Sequence, residues 1–444
     1  MRIFGYEISQ IEVAIAAAVS LLFIMFFLTR LPKWARVTTL SLTLIIGSIV
    51  FFSKIDSPSR KPVEMAKKEA ARESLAAGED EKAAVRSFEE APAPIATPVK
   101  EEKFESIEVL YGTDRTMVQD VKRVRFGDGR ARQLNLGNAM VTVPKKTHKT
   151  GEIERPYQFN FLFIKYTAKE DPEHHFTIHK IGTLTKEEFT NIARQKLSKS
   201  SRFKDQAFVF IHGYNVSFDA ALYRTAQMAY DLGFDGVPYM YSWPSVGGLT
   251  NYEYDQNSSQ QSRPYLKEFL DIVTKETGAK EVHIIAHSMG NVPTMEVLRD
   301  LRLRPDAERV SNINEVILAA PDIDRDVFIN LAKEIKGLSK GITLYVSSAD
   351  LAMKASRAYS GTIRAGDVPD EGPIIIDGID TIDVTKLSTS MFYSLNHALY
   401  ADSSKILVDI TKIMQDRIRP PDSRSNQITR VDGTGGAVFW RYNN

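Results

Sequence analysis

The chain has no cysteine among its 444 residues. That absence excludes a disulfide framework, a thiolate nucleophile, an iron–sulfur cluster and the common cysteine-built zinc sites. Chemistry must therefore be carried by oxygen and nitrogen groups, and the lack of thiols also suits an oxidising compartment. Excess charge is missing too: 57 basic against 56 acidic residues leave a formal net charge of +1. No lysine–arginine stripe interleaved with aromatics stands out, so a nucleic-acid partner is not expected. No internal repeat is visible. What is plentiful is apolar, since 43% of the residues are hydrophobic, enough for one large core and accessory segments.

Long uncharged runs occur near the N-terminus. Residues 11–28 carry a single charge, Glu12, and residues 37–53 carry none, so both approach the roughly 17 to 25 residues a spanning helix needs. They read as a transmembrane helical hairpin within residues 1–55. A signal peptide followed by a buried helix is the alternative, but Thr29-Arg30-Leu31-Pro32 offers no small-x-small cleavage pattern. The connecting loop holds Arg30, Lys33 and Arg36 without an acid, which places it on the cytoplasmic side and the rest of the chain outside. Lys54, Arg60, Lys61, Lys67 and Lys68, after the second run, pull the other way. Residues 56–103, rich in Ala, Glu, Lys and Arg and ending in APAPIATPV, read as a charged Ala/Pro-rich tether; if helical, residues 61–90 would reach about 45 Å at roughly 1.5 Å per residue.

Further on, short apolar runs alternate with helical patterns, the signature of a mostly parallel sheet covered on both faces. Strands are expected at residues 207–211, 237–241, 282–286, 316–320, 342–346 and 379–384, rich in β-branched and aromatic side chains. Helices are expected at 219–232, 264–276, 289–301, 324–335 and 403–417, and earlier runs at 107–111 and 139–143 would supply antiparallel edge strands. The domain so defined spans 104–418, and 419–444 reads as an irregular tail apart from Val438–Trp440.

The strongest local signal is Ala286-His287-Ser288-Met289-Gly290, between a strand and a helical pattern. In a nucleophile elbow the serine sits on a sharp strand-to-helix turn, so its neighbours must be small enough for strand and helix to approach. The helix then presents its N-terminal amides to charge that develops at the serine. This fold orders its triad as Ser, then Asp or Glu, then His, and of eight histidines only His397 follows Ser288. His397 lies after the last strand and before the C-terminal helix, where it would act as general base. Asp350, directly after the strand at 342–346, is favoured as the acid. Asp322 and Asp324 after the preceding strand are alternatives, although Asp324 also suits a helix N-cap and Asp322 could accept amides in the same turn. The oxyanion hole is assigned to the backbone amides of Met289 and Tyr214, the second in the turn Phe210-Ile211-His212-Gly213-Tyr214-Asn215. His212 and Asn215 read as braces for that turn and His287 as packing within its own.

Together the segments VLYGTDR (109–115), FIHGYNVSF (210–218), YSWPS (241–245), AHSMGN (286–291) and LAAPDIDRDVF (318–328) resemble a bacterial family of α/β hydrolases catalogued as a domain of unknown function and labelled esterase/lipase-superfamily. The resemblance runs from about 106 to 413 and implies the α/β-hydrolase fold and a Ser288–Asp350–His397 triad; it names no substrate. The expected function is hydrolysis of a carboxylic ester, small or lipid-like, through an acyl-serine intermediate, with no cofactor and no metal, by an integral protein of a bacterial inner membrane whose catalytic domain faces the periplasm. A thioesterase, amidase or acyltransferase would use the same parts, and a catalytically silent membrane-tethered scaffold is the rival of another class. His174, His175 and His179 bear no attached carboxylate pair and read as strand or loop residues rather than ligands. Trp243, Tyr252 and Tyr254 are candidates for an acyl pocket or for plain packing.

Overall fold

The computed structural model describes residues 2–3, 6–7 and 103–443, the latter without 119–123, 162–163, 249–250, 306–311, 350–355, 358, 388–402 and 434–435. The chain divides into two units, Met1–Thr97 and Pro98–Asn444. In the first, Arg2–Ile3 pairs antiparallel with Tyr6–Glu7. The two apolar runs expected to span a membrane, the loop between them and the tether up to residue 102 lie outside the described residues. Among the described residues no helix is long and apolar enough to cross a membrane.

The second unit is built on a single sheet. Its strands are β1 (Phe104–Val118) and β2 (Arg125–Pro144), then, after a two-stranded ribbon of β3 (Gln158–Phe161) and β4 (Ile164–Thr167), β5 (Thr177–Leu184), β6 (Gln206–Ile211), β7 (Val237–Ser242), β8 (Glu281–His287), β9 (Ile313–Ala319), β10 (Gly341–Val346), β11 (Asp380–Asp383), β12 (Ile428–Asp432) and β13 (Val438–Tyr442). Their order across the sheet is β12-β13-β11-β10-β9-β8-β6-β7-β1-β2-β5. From β11 to β1 every neighbouring pair is parallel. Such strands are sandwiched between layers and need apolar side chains on both faces, which is why Ala207–Ile211, Val282–Ala286 and Ile313–Ala319 are buried throughout.

Alternation along those strands feeds two cores. Val209, Ile211, Ile284 and Ala286 join one face with helices α1 (Lys186–Leu197), α4 (Arg263–Lys275), α5 (Asn291–Arg302) and α6 (Arg325–Glu334). Phe208, Phe210 and Ile285 join the other, covered by α2 (Phe218–Asp231) and α7 (Ser403–Asp416). In α4 the spacing Leu266, Phe269, Leu270, Val273 puts four fully buried side chains on one stripe. At about 1.5–3 kcal/mol each, their burial holds the helix to the sheet.

Two expectations change, and two helices appear where none was expected. The strand over 107–111 is not at the edge: β1 lies beside β7 in parallel, β2 follows it antiparallel, and β5 forms the border. The final residues are not an irregular tail, because β12 and β13 form an antiparallel hairpin that extends the sheet through β11; only Ile428, Phe439 and Tyr442 are buried there, too few for an apolar pattern to show. Two helices carry weak signals, α1 and α3 (Tyr252–Gln261), the second buried through Asp255, Ser258 and Ser259 rather than through apolar residues.

Candidate active site

Strand β8 delivers the chain to Ser288, whose φ is +51°, in the left-handed region that a side-chain-bearing residue rarely enters and that persists only where the surroundings enforce it. The enforcement is visible. A short 3₁₀ turn, Ser288–Gly290, leads into α5. The Ser288 carbonyl accepts the Asn291 Nδ2 at 2.8 Å and the Asp322 N–H at 3.2 Å. A Cβ on Gly290 would stand 2.3 Å from the His212 carbonyl oxygen, and one on Gly213 would stand 2.8 Å from the Ser288 Cβ. The turn after β6 is thus pressed against the serine turn with room for glycine alone. Ser288 is buried, retaining 8% exposure.

The turn at 212–215 is held by a buried polar network that the sequence reading did not identify. Arg115 has no exposure. It donates to the Ser242 Oγ at 2.9 Å, the Val216 carbonyl at 2.6 Å and the Ser245 carbonyl at 3.3 Å; burial, set against nearby carboxylates, lowers its pKa to about 10. His212 stacks on Trp243 at 5.1 Å and pairs through Nε2 with the Ser242 Oγ at 3.0 Å. Burial first, and Arg115 second, push its pKa well below the usual histidine value, so it is a neutral brace. Asn215, at φ +58°, donates its N–H to the Ser245 Oγ at 2.8 Å, which in turn donates to Asp255 at 2.6 Å. Asp255 also takes the N–H groups of Val246 and Gly247. The Tyr214 N–H, in the middle of this braced turn, has no acceptor among the described residues.

Asp322 is buried and its carboxylate is engaged by three donors: the Arg364 Nε at 2.7 Å, the Ser356 Oγ at 2.5 Å and the Tyr252 hydroxyl at 2.8 Å. Asp324 caps α6, accepting from the N–H groups of Asp326 and Val327. The structure therefore brings Ser288, Met289, the Tyr214 turn and Asp322 together, and places Asp324 in a capping role. Asp350 and His397 lie outside the described residues. Trp243 is fully buried, its Nε1 donating to the His212 carbonyl at 2.7 Å, so it belongs to the core rather than to a pocket lining. Tyr252 is tied to Asp322, and Tyr254 sits against Arg130 at 4.2 Å. A cavity of about 60 Å³ bordered by Gly213, His287, Phe210, Ile285, Ile406 and Ile410 lies on the α2/α7 side of the sheet; burial there, followed by the Arg224 charge, takes the His287 pKa down to about 4. His174 pairs with Asp171 and His175 accepts the Asp171 N–H; among the described residues no group of three or more candidate ligands could hold a metal ion.

A family model described as "Alpha/beta hydrolase of unknown function (DUF900)" matches residues 185–417. The chain belongs to this family. The match takes in the strands and helices that position Ser288, from α1 to α7. Among solved structures, the chain is similar to a predicted CIB-like hydrolase from Thermoplasma acidophilum, at 13% identity and a TM-score of 0.27 over 48% of this chain and 86% of that one. It is similar to brefeldin A esterase, a bacterial homologue of human hormone-sensitive lipase, at 12% identity and a TM-score of 0.32 over 81% of this chain and 88% of that one. It is also similar to phospholipase PlaB from Legionella pneumophila in complex with thio-NAD, at 11% identity and a TM-score of 0.29 over 54% and 67%. No curated protein matches significantly. The assignment rests on the family match and on the sheet order, not on these distant likenesses.

Proposed function

We propose that this α/β hydrolase is a membrane-anchored serine hydrolase that cleaves carboxylic esters through an acyl-serine intermediate on Ser288. The observation that carries the reading is the strained turn: a serine at φ +51° between β8 and α5, with a glycine-only contact to a second turn whose Tyr214 amide has no acceptor among the described residues. Strain at a non-glycine residue persists where function requires the side chain to be presented. In this reading His397 takes the Ser288 proton and returns it to the leaving alkoxide, while Asp350 orients the imidazole. The amides of Met289 and Tyr214 stabilise the tetrahedral oxyanion, each worth about 3 kcal/mol of barrier. Asp322 is set aside as the acid because its carboxylate is already shared among Arg364, Ser356 and Tyr252. The two N-terminal apolar runs anchor the chain, with the basic loop inside and the hydrolase domain on the periplasmic side of a bacterial inner membrane.

A fluorophosphonate probe tests the chemistry. The wild-type chain should be labelled and Ser288→Ala should not; absence of labelling in both would leave a scaffold without turnover. A reporter fused to the C-terminus tests the topology, being active only outside the cytoplasm if the orientation is right.

A further inference from the structure

The cavity of about 60 Å³ on the α2/α7 side of the sheet abuts the serine turn. Gly213 and His287 line it and form the wall between the two: His287 precedes Ser288 in the chain, and a Cβ on Gly213 would stand 2.8 Å from the Ser288 Cβ and 2.9 Å from the His287 Nδ1. Most of the remaining lining is aliphatic, from Ile285 and Ile317 on the strands to Ile406 and Ile410 on α7. The polar side chains at its border are engaged elsewhere. Arg224 donates to the Gly151 carbonyl and the Gln227 Oε1, Gln227 donates to Asp231, the His212 ring pairs with Ser242, and the Tyr345 hydroxyl donates to Asp409. Burial, followed by the Arg224 charge, keeps the His287 imidazole uncharged at neutral pH. The space therefore suits an occupant without charge or hydrogen-bonding groups, since an apolar cavity holds no ordered water. By contrast, the Asp322 neighbourhood that meets the Ser288 carbonyl is filled by the Arg364, Ser356 and Tyr252 donors.

We propose that this cavity takes the alkyl tail of the acyl group carried on Ser288, and that its volume selects short acyl chains. The inference rests on the hydrolase reading above and narrows its substrates to esters of small carboxylic acids. Size sets the length. An apolar cavity of about 150 Å³ takes benzene, roughly 25 Å³ per carbon. On that scale 60 Å³ holds about two or three carbons beyond the carbonyl, a propionyl or butyryl group. Each methylene moved from water into the cavity raises kcat/KM roughly fourfold. Carbons past the limit stay in solvent or force the packed walls apart, so the gain stops there.

The test is kcat/KM of the full chain for p-nitrophenyl esters from acetate to hexanoate, beside variants of the cavity wall. The wild-type values should rise roughly fourfold per methylene from acetate to butyrate and gain nothing at hexanoate. Ile410→Ala, which trims the α7 wall, should move the optimum about two carbons longer; Ile410→Val, the milder change should the first fail to fold, should move it about one. Ala319→Val, which fills the cavity from β9, should bring butyrate down toward acetate and leave acetate unchanged. A wild-type optimum at acetate, a rise that continues to hexanoate, or an optimum that stays in place in the folded variants would overturn the inference. Fluorophosphonate labelling separates the causes: a labelled wild type with any of those profiles refutes the acyl cavity alone, whereas absence of both labelling and turnover refutes the hydrolase reading and this inference with it.

Discussion

Gly290→Ala sets a local preference against a tertiary contact. Gly290 lies at φ −62° and ψ −19°, helical values at which alanine is favoured over glycine by roughly 0.5–1 kcal/mol. On local grounds the substitution stabilises. The added methyl, however, would meet the His212 oxygen at 2.3 Å, the Ile211 oxygen at 3.0 Å and the His212 carbonyl carbon at 3.1 Å. All three are backbone atoms at the end of a core strand, and the His212 oxygen already accepts the Trp243 indole N–H at 2.7 Å. Relief requires the turns to part by about an ångström, and overpacking of this kind costs about 1–3 kcal/mol, so the net sign is destabilising. His212 leads into Gly213 and Tyr214, so the same movement displaces the Tyr214 amide that the proposed oxyanion hole uses. Loss of one oxyanion donor lowers kcat by roughly 10²–10³. Thermal unfolding and turnover of a soluble chromogenic ester measure the two effects. Gly182→Ala is the control, since the nearest atom to its added Cβ is the Asn138 Oδ1 at 3.9 Å. A Gly290→Ala enzyme with wild-type Tm and kcat would refute the contact argument; a lowered Tm with wild-type kcat would refute the coupling to the oxyanion turn.

Arg115→Lys keeps the charge but not the fork that reaches Ser242, Ser245 and Val216 together; kcat and the rate of fluorophosphonate labelling should both fall while KM holds, and unchanged labelling would deny Arg115 a positioning role. Asp322→Asn leaves the buried Arg364 without its partner, which should cost about 3–5 kcal/mol, against about 1 kcal/mol for loss of the cap in Asp324→Ala; chemical unfolding compares them, and loss of activity at wild-type stability in Asp322→Asn would instead make Asp322 the triad acid. His148 is buried, which opposes its charge, yet the Asp231 and Glu154 carboxylates at 2.7 and 2.9 Å raise its pKa to about 9. Its folded value is above the unfolded value of about 6.5, so the stabilisation is complete below about pH 6.5 and fades as pH rises through 9. Tm measured from pH 6 to 10 should decline less in His148→Gln than in wild type, and parallel profiles would contradict the assignment.

The parallel strands and their helices were legible because burial on both faces writes itself as uninterrupted apolar runs, as in Val282–Ala286, and because α2, α5 and α6 show one apolar stripe each. Their observed limits fall within a few residues of those expected. Ser288 stood out for a related reason: small residues flanking a serine between a strand and a helix mark a turn where backbones touch. The β12–β13 hairpin and α3 were illegible, since the hairpin buries few side chains and α3 is held through Asp255, Ser258 and Ser259.

Residue types and their chain order alone determined the fold class, the candidate nucleophile and the range of chemistry open to a chain without thiols. Tertiary structure alone decided what Arg115, Asp255 and Asp322 do, because each acts through partners distant in sequence: Arg115 bonds to Ser242, 127 positions on, and Asp322 to Tyr252, 70 positions back. Periodicity reports which face of a segment avoids water. It carries no record of which buried charge meets which donor, since that depends on how the strands are ordered across the sheet.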